Sequence, residues 1–288
     1  MADPDGVVRE ARAKVNLRLR VLERGEDGFH GLETLFLRLE LADRLELETG
    51  GEPGIRLELE GEGAAADGVA SVPEGPDNLA WRAVERFHEA AGGEPSVTLR
   101  LHKRIPAGAG LGGGSADAAA ALRGMNQLAG EPLSREELLR VAGEVGSDVP
   151  FLAADLPAAL AWGRGGRLLP VPAPSARPML VAVPDVRIPA AEAYGWLDDD
   201  RAAPSGPGPA GGGEDEVLSL FDEEPSADRP AAPGTAPRPG AAVLPPTEGW
   251  DDWAVLAGLA GNDFEATVFA RFPELGWWKE EMEGEGAE

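Results

Sequence analysis

The sequence predicts an α+β fold with mixed and antiparallel sheets and packed helices, and three observations carry that expectation. Several stretches within residues 13–60 place apolar side chains at every second position, residues 79–91 place them at helical spacing, and a glycine run joins a strand directly to a helix. Strands followed by helices, without strict alternation, point to segregated α+β layers. With 288 residues and 43% hydrophobic content, the chain is long enough for one large domain or two ordinary ones.

The elements follow in order. Ala13, Val15, Leu17, Leu19 and Val21 occupy alternate positions, so Lys14, Asn16, Arg18 and Arg20 are expected together on the other face of a half-buried strand. Leu35, Leu37, Leu39 and Leu41 repeat the alternation, as do Leu45 and Leu47, then Ile55, Leu57 and Leu59; the first 60 residues read as an antiparallel sheet. Asn78 caps a helix to about Ala91, because Leu79, Ala83, Phe87 and Ala91 recur every four residues and Gly92-Gly93 supplies the stop. A strand at Val97, Leu99 and Leu101 leads into the glycine run. Ala116 to Leu128 is alanine-rich and helical, and Ser134-Arg135-Glu136-Glu137 opens another helix as a capping box. From Asp198 to Gly249, acidic runs, Gly211-Gly212-Gly213 and a Pro/Ala stretch offer little to bury, which predicts a flexible insertion; its apolar cluster Val217, Leu218, Leu220 and Phe221 reads as a short transient helix. Order is expected again from about Trp250, with a helix beginning at Asn262 or Asp263 that carries Val268, Phe269 and Phe272.

Composition excludes whole classes of function. Lys and Arg total 26 against 51 Asp and Glu, a formal charge of -25 that repels nucleic acid and anionic membrane surfaces. Cysteine is absent, which removes disulfides, thiolate nucleophiles and cysteine zinc sites, and a reducing cytoplasmic location fits. The N-terminus is acidic and polar, unlike a signal peptide, and no apolar run reaches membrane-spanning length. Any anionic ligand therefore needs local positive help.

The segment Lys103-Arg104-Ile105-Pro106-Ala107-Gly108-Ala109-Gly110-Leu111-Gly112-Gly113-Gly114-Ser115-Ala116 supplies it. Its glycines allow positive φ and close approach, and the helix that follows aims unpaired N–H groups and its positive dipole end at a phosphate. A Walker P-loop needs Gly-Lys-Ser/Thr at the helix start, and Gly114-Ser115-Ala116 has no lysine. Gly108, Gly110 and Gly113 match a dinucleotide fingerprint, but a second helix follows the first where that motif requires a strand. A plain mobile loop is the remaining reading, set below the phosphate one because loops rarely place this much glycine directly between a strand and an alanine-rich helix.

Pro106-x-x-x-Gly110-Leu111 with the following glycines and Ser115 resembles the second motif of the GHMP kinase superfamily. Ala13-Lys14-Val15-Asn16-Leu17, Asp27-Gly28-Phe29-His30, Glu33-Thr34-Leu35-Phe36 and Gly146-Ser147-Asp148-Val149-Pro150 narrow the likeness. Together they are similar to the branch that phosphorylates the 2-hydroxyl of 4-diphosphocytidyl-2-C-methyl-D-erythritol in the non-mevalonate route to isoprenoid precursors. The resemblance runs from about residue 8 to 196 and resumes at 262–275. It implies a two-lobed fold, with a nucleotide lobe over about 1–155 and a substrate lobe over 156–288, interrupted by the insertion at about 198–249. It also implies ATP and Mg²⁺ as cofactors, with the metal ligands left open, and a small-molecule cytidine diphosphate substrate as partner.

The same resemblance implies Lys14 and Asp148 as catalytic residues, the carboxylate accepting the hydroxyl proton and the ammonium stabilising negative charge. Read alone, Asp148 is equally a helix cap before Pro150, and Lys14 a solvated strand residue. Lys103 and the segment Pro106 to Ala116 are implied to bind ATP. Asn16 and His30 are implied to hold the substrate, with Phe29, Phe36 and Tyr194 as aromatic walls around its cytosine. Ala116 and Ala190 stand where the family often has serine and threonine. The family's third motif, a glycine/serine-rich loop, has no match before Glu288, so a shortened chain or impaired activity is expected. The competing functions are a kinase of homoserine or mevalonate, against which residues 27–36 argue, a nucleotide-binding pseudokinase, and a dinucleotide-dependent oxidoreductase.

Overall fold

A computed structural model of the chain describes residues 6–25, 28–61, 72–202 and 252–286. Two long strands dominate it, β1 (Gly6–Arg24) and β2 (His30–Thr49), antiparallel over almost their whole length. The remaining elements are β3 (Gly54–Glu60), α1 (Leu79–Ala91), β4 (Ser96–His102), α2 (Gly113–Leu128), α3 (Arg135–Val145), α4 (Val149–Ala153), β5 (Ala158–Gly163), β6 (Arg167–Pro170), α5 (Ala190–Ala202), α6 (Trp253–Leu259), β7 (Gly261–Asn262), α7 (Phe264–Arg271) and α8 (Pro273–Gly284). Among the described residues the strands form one seven-stranded mixed sheet, β3-β4-β2-β1-β7, with β5 paired to β2 and β6 paired to β5.

Along one edge, β2 is shared: its C-terminal half pairs with β4 and its N-terminal half with β5. The division falls where the β1–β2 register shifts, between the pairs Arg12↔Ala42 and Lys14↔Arg38. A second shift, between Asn16↔Phe36 and Arg18↔Leu35, leaves Leu17 as an extra residue in β1. Because Phe36 and Leu35 face opposite sides, Lys14 and Asn16 share a face that Arg18 leaves. The single unbroken alternation expected through Val21 is corrected accordingly. So is the reading of the first 60 residues as one antiparallel sheet: β1 and β2 pair that way, but β3 pairs with β4 and runs parallel to it.

Helices α1 to α4 cover one face. Phe36, Leu45, Leu47, Leu99 and Leu101 meet the alanine face of α2 and the apolar faces of α1 and α3 in the main core. On the other face of β2, Leu35 and Leu37 pack with Ala158, Val171 and Leu256. The caps form as their sequences require. Asn78 Oδ1 accepts from Ala80 N at 2.8 Å, and Ser134 and Glu137 close a reciprocal capping box, each such cap contributing about 1 kcal/mol.

Helix α5 continues through Asp198–Ala202, five residues that the sequence reading assigned to the insertion. Asp27, Trp250, Pro225–Pro246 and the cluster Val217, Leu218, Leu220 and Phe221 lie outside the described residues. Among the described residues, no helix is long and apolar enough to cross a membrane.

Candidate active site

The bulged middle of β1 and the glycine loop meet at Lys14. Its backbone N–H donates to Leu111 O at 2.9 Å, which binds strand to loop. Its ammonium donates to Asn16 Oδ1 at 2.6 Å and Gly110 O at 3.0 Å, and lies 3.1 Å from Asp148 Oδ2. The Phe36 ring lies beneath it, 5.6 Å from Nζ to centroid. Lys14 is almost wholly buried, whereas the Asp148 side chain keeps 30% of its surface, so the carboxylate is the open member of the pair. Asn16 is held in turn, its Nδ2 donating at 2.8 Å to Thr34 Oγ1, which donates at 2.6 Å to Arg18 O.

Helix α2 begins immediately behind this cluster. Gly108, Gly110 and Gly112 take positive φ, and Gly112 is the N-cap with φ 70° and no side-chain cap. Only from Ala116, whose N–H reaches Gly112 O at 2.8 Å, does the helix satisfy its own donors. The N–H groups of Gly113, Gly114 and Ser115 are thus the donors such a helix start leaves for an anion. A Cβ on Gly112 would stand 2.9 Å from Lys14 Cε, so the loop has glycine where the lysine stem passes. Pro106 and Ala107 are partly buried, while Leu111 and Ala116 are buried in the core and Ala109 packs against it; these offer a ligand backbone rather than side chains.

Asp148 occupies the N-cap position of α4, but its side chain makes no capping hydrogen bond and turns to Lys14 instead. The turn between β5 and β6 braces it. A Cβ on Gly165, at φ +85°, would lie 2.6 Å from Ser147 O, so the turn sits directly against the residue preceding Asp148.

Lys103 is sealed under the loop, its ammonium 2.7 Å from Asp117 and also bound to Asp43. Asp43 accepts as well from the N–H groups of Arg104 and Ile105, which locks the entry to the glycine loop onto β2. Burial works against the charged lysine, but Asp117 and Asp43 outweigh it and hold Lys103 above its ordinary pKa. Burial raises Asp117 to about 7, with Lys103 opposing and Asp43 adding to the rise. Lys103 therefore touches no open surface, and with its charge taken up by Asp43 and Asp117 it supports the loop from behind: a Cβ on Gly113 would be 3.5 Å from its Nζ.

On the other side, His30 stacks on Tyr194 with centroids 5.0 Å apart, and His30 Nε2 is 2.7 Å from Asp198 Oδ1. Tyr194 meets Phe264 edge-on at 5.0 Å. Burial, then the nearby Asp148 charge, raise the Tyr194 pKa, so this aromatic group borders the Lys14–Asp148 pair. Phe29 is exposed, under the guanidinium of Arg164 at 4.2 Å. Phe36 departs from its expected role: it is 1% exposed and stacked on Phe151 in the core, so it supports Lys14 and presents no wall to a ligand.

Sequence reasoning missed Asp43, Asp117, Thr34, Gly165, Asp198 and Phe264. Asp43 left a signal, a carboxylate in the apolar register between Leu41 and Leu45; Asp117, set in a run of alanines, left another. Among the described residues no cluster of three or more His, Asp or Glu side chains could hold a metal ion.

Residues 78–161 match the family model of the GHMP kinases N terminal domain. The chain is 36% identical to 4-diphosphocytidyl-2-C-methyl-D-erythritol kinase of Symbiobacterium thermophilum, over 96% of this chain and 84% of that protein. It is 37% identical to the protein of that name in Moorella thermoacetica, over 99% and 85%. The match to that of Saccharopolyspora erythraea reaches 45% but spans about half of that relative, 51% of its length and 58% of this chain. A crystal structure of 4-(cytidine 5'-diphospho)-2C-methyl-D-erythritol kinase superposes with a TM-score of 0.60 at 31% identity, covering 96% of this chain and 83% of the other. A mevalonate diphosphate decarboxylase from Legionella pneumophila, 15% identical with a TM-score of 0.50 over 67% of this chain and 63% of its own, shares the fold.

Proposed function

Because the chain belongs to the 4-diphosphocytidyl-2-C-methyl-D-erythritol kinase family of GHMP kinases, we propose that it phosphorylates the 2-hydroxyl of that cytidylylated sugar alcohol from ATP. The observation that carries the reading is the open Asp148 carboxylate, 3.1 Å from a buried ammonium beside an uncapped helix start.

ATP supplies the phosphoryl group. The backbone donors of Gly113, Gly114 and Ser115 hold its phosphates, with Pro106 to Gly112 shaping the approach and Lys103, its charge taken up by Asp43 and Asp117, holding the loop from beneath. Asp148 accepts the proton of the substrate hydroxyl, and Lys14 stabilises the negative charge that appears as the proton leaves. The Asn16 side chain orients the Lys14 ammonium and faces the substrate beside it. His30 and Tyr194 form the cytidine side of the site and Phe29 its outer rim. Mg²⁺ fits as a companion of the phosphates, since that ion keeps waters and takes few protein ligands. Residues 1–155 then form the nucleotide lobe and also bring Phe29 and His30 to the substrate side, while residues 156–288 form the substrate lobe and add Tyr194.

The test is to incubate the purified chain with ATP, Mg²⁺ and the cytidylylated substrate, beside homoserine and mevalonate. Phosphorylation of the first alone is expected. Turnover of either of the others overturns the substrate assignment, and ATP binding without any turnover makes the chain a pseudokinase.

A further inference from the structure

A cavity of about 310 Å³ lies between the N-terminal half of β1, the flank of α2 and the C-terminal end of α4. Of the segment Pro106 to Ala116 only Ala116, at its end, reaches the wall, and Lys14, Asn16 and Asp148 do not line it. Four arginines do: Arg9, Arg12, Arg38 and Arg123. The only carboxylates in its walls are Glu10 and Asp155, so four positive charges face two negative ones in a chain of formal charge -25. The concentration of cations is therefore local and set against the global field.

The pairings inside the cavity leave this charge incompletely used. Asp155 accepts from Arg123 at 2.9 Å and also from Arg38, so two guanidiniums share one carboxylate. Arg12 takes Glu10 at 3.0 Å. Arg9 donates to the neutral amide of Gln127, and its Nε is buried with no hydrogen-bond partner. Burial first, and the Arg123 charge next, lower the Arg9 pKa, with Asp155 offsetting part of that. Guanidiniums that share one carboxylate, or hold only a neutral amide, leave positive charge for one ligand type above others. That ligand is a compact multivalent oxyanion, whose oxygens match the guanidinium fork. The small side chains of Ala116, Ala119 and Ala120 leave room for it against α2, and the cavity volume is at the low end for ligand sites.

We propose that this cavity is a second anion site, separate from the nucleotide end of α2, which takes a small phosphate and prefers a diphosphate group. The preference follows from geometry: guanidiniums on β1, β2 and α2 approach from different sides, and two linked phosphoryl groups satisfy more of them than one.

Calorimetric titration of the whole chain with pyrophosphate, and separately with orthophosphate, in the presence and absence of a saturating non-hydrolysable ATP analogue, tests this. One equivalent of pyrophosphate should bind with the nucleotide site filled, more tightly than orthophosphate. Affinity should weaken at least tenfold in Arg9→Gln and in Arg123→Gln, and should fall as salt is added. Loss of pyrophosphate binding on nucleotide saturation would mean that the anion had been occupying the nucleotide site, and the proposal fails on the unaltered protein alone. It fails equally if folded Arg9→Gln and Arg123→Gln proteins bind pyrophosphate as the parent does, or if orthophosphate binds as tightly as pyrophosphate.

Discussion

Lys14 holds three oxygens at once, Gly110 O, Asn16 Oδ1 and Asp148 Oδ2, so replacing it removes charge from the site and the side-chain tie to the loop, while the backbone bond to Leu111 O stays. Lys14→Met should lower single-turnover phosphoryl transfer while sparing ATP affinity, which rests on backbone donors. Asp148→Asn keeps the shape and removes the proton acceptor; turnover with both ligands saturating should fall by about 10²- to 10⁴-fold. Transfer at the parental rate would show that the aspartate takes no proton. Asp117 gives a prediction in pH. Its pKa is raised by burial from 3.8 to about 7, so between those values the folded chain keeps a proton that the unfolded chain has released. This group therefore makes stability fall as pH rises through that window. Urea midpoints should show the parent losing stability relative to Asp117→Asn between about pH 4 and 7, on the order of 1 kcal/mol per pH unit, and no further change above about pH 8. A difference that stays flat across the window refutes the assignment. These two aspartates also mark what residue patterns convey. Asp148 was visible as a candidate because of its motif; its side chain bonds no helix amide, which sets the cap reading aside and leaves the base role as the proposal. Asp117 was passed over because a short carboxylate in an alanine run declares neither its burial nor its partner fourteen residues back.

Among the elements, the glycine loop and the β5–β6 turn fix where the reacting groups stand. Gly112 combines φ 70° with a lysine stem in the space of its missing Cβ. Gly112→Ala should cost about 1–2 kcal/mol for the left-handed backbone alone and displace Lys14, lowering the chemical step at least tenfold. A folded variant with parental turnover counts against this packing. Gly165→Ala forces the turn away from Ser147 O and carries Asp148 with it; kcat should drop while KM for ATP stays near the parental value, and a change in KM alone would sever the link between turn and carboxylate. Helix α1, its Asn78 cap and the Ser134 box were legible because periodicity and caps are local. The parallel pairing of β3 with β4 was not, since alternation reveals a strand and its face but carries no partner. The extra residue at Leu17 was hidden for a similar reason: a bulge is set by what the neighbouring strand requires.

For the whole molecule, a formal charge of -25 accompanies a site proposed to hold phosphates. Modest salt should screen the long-range repulsion before it weakens the short-range contacts, so kcat/KM for both anionic substrates should rise a few-fold between about 10 and 100 mM ionic strength. A steady fall from the lowest salt would mean that local positive groups dominate encounter as well as binding. The substrate side also gathers residues from distant parts of the chain. His30 meets Asp198, Tyr194 meets Phe264, and Asp263 Oδ2 accepts from Val21 N at 2.9 Å; such contacts between separate segments leave little periodic trace, and for that reason Phe264 and Asp198 went unforeseen. The short pairing of Arg18 and Leu19 with Gly261 and Asn262 extends this to biosynthesis. A ribosome has added some 240 residues after Leu19 before β7 emerges, and until then that stretch of β1 presents an unpaired edge with free backbone donors and acceptors. Closure of so long a loop comes late and slowly. The nascent chain thus passes through a period in which its first strand is made but open to pairing with other copies, and yield in cells should depend on holdase chaperones that shield that edge.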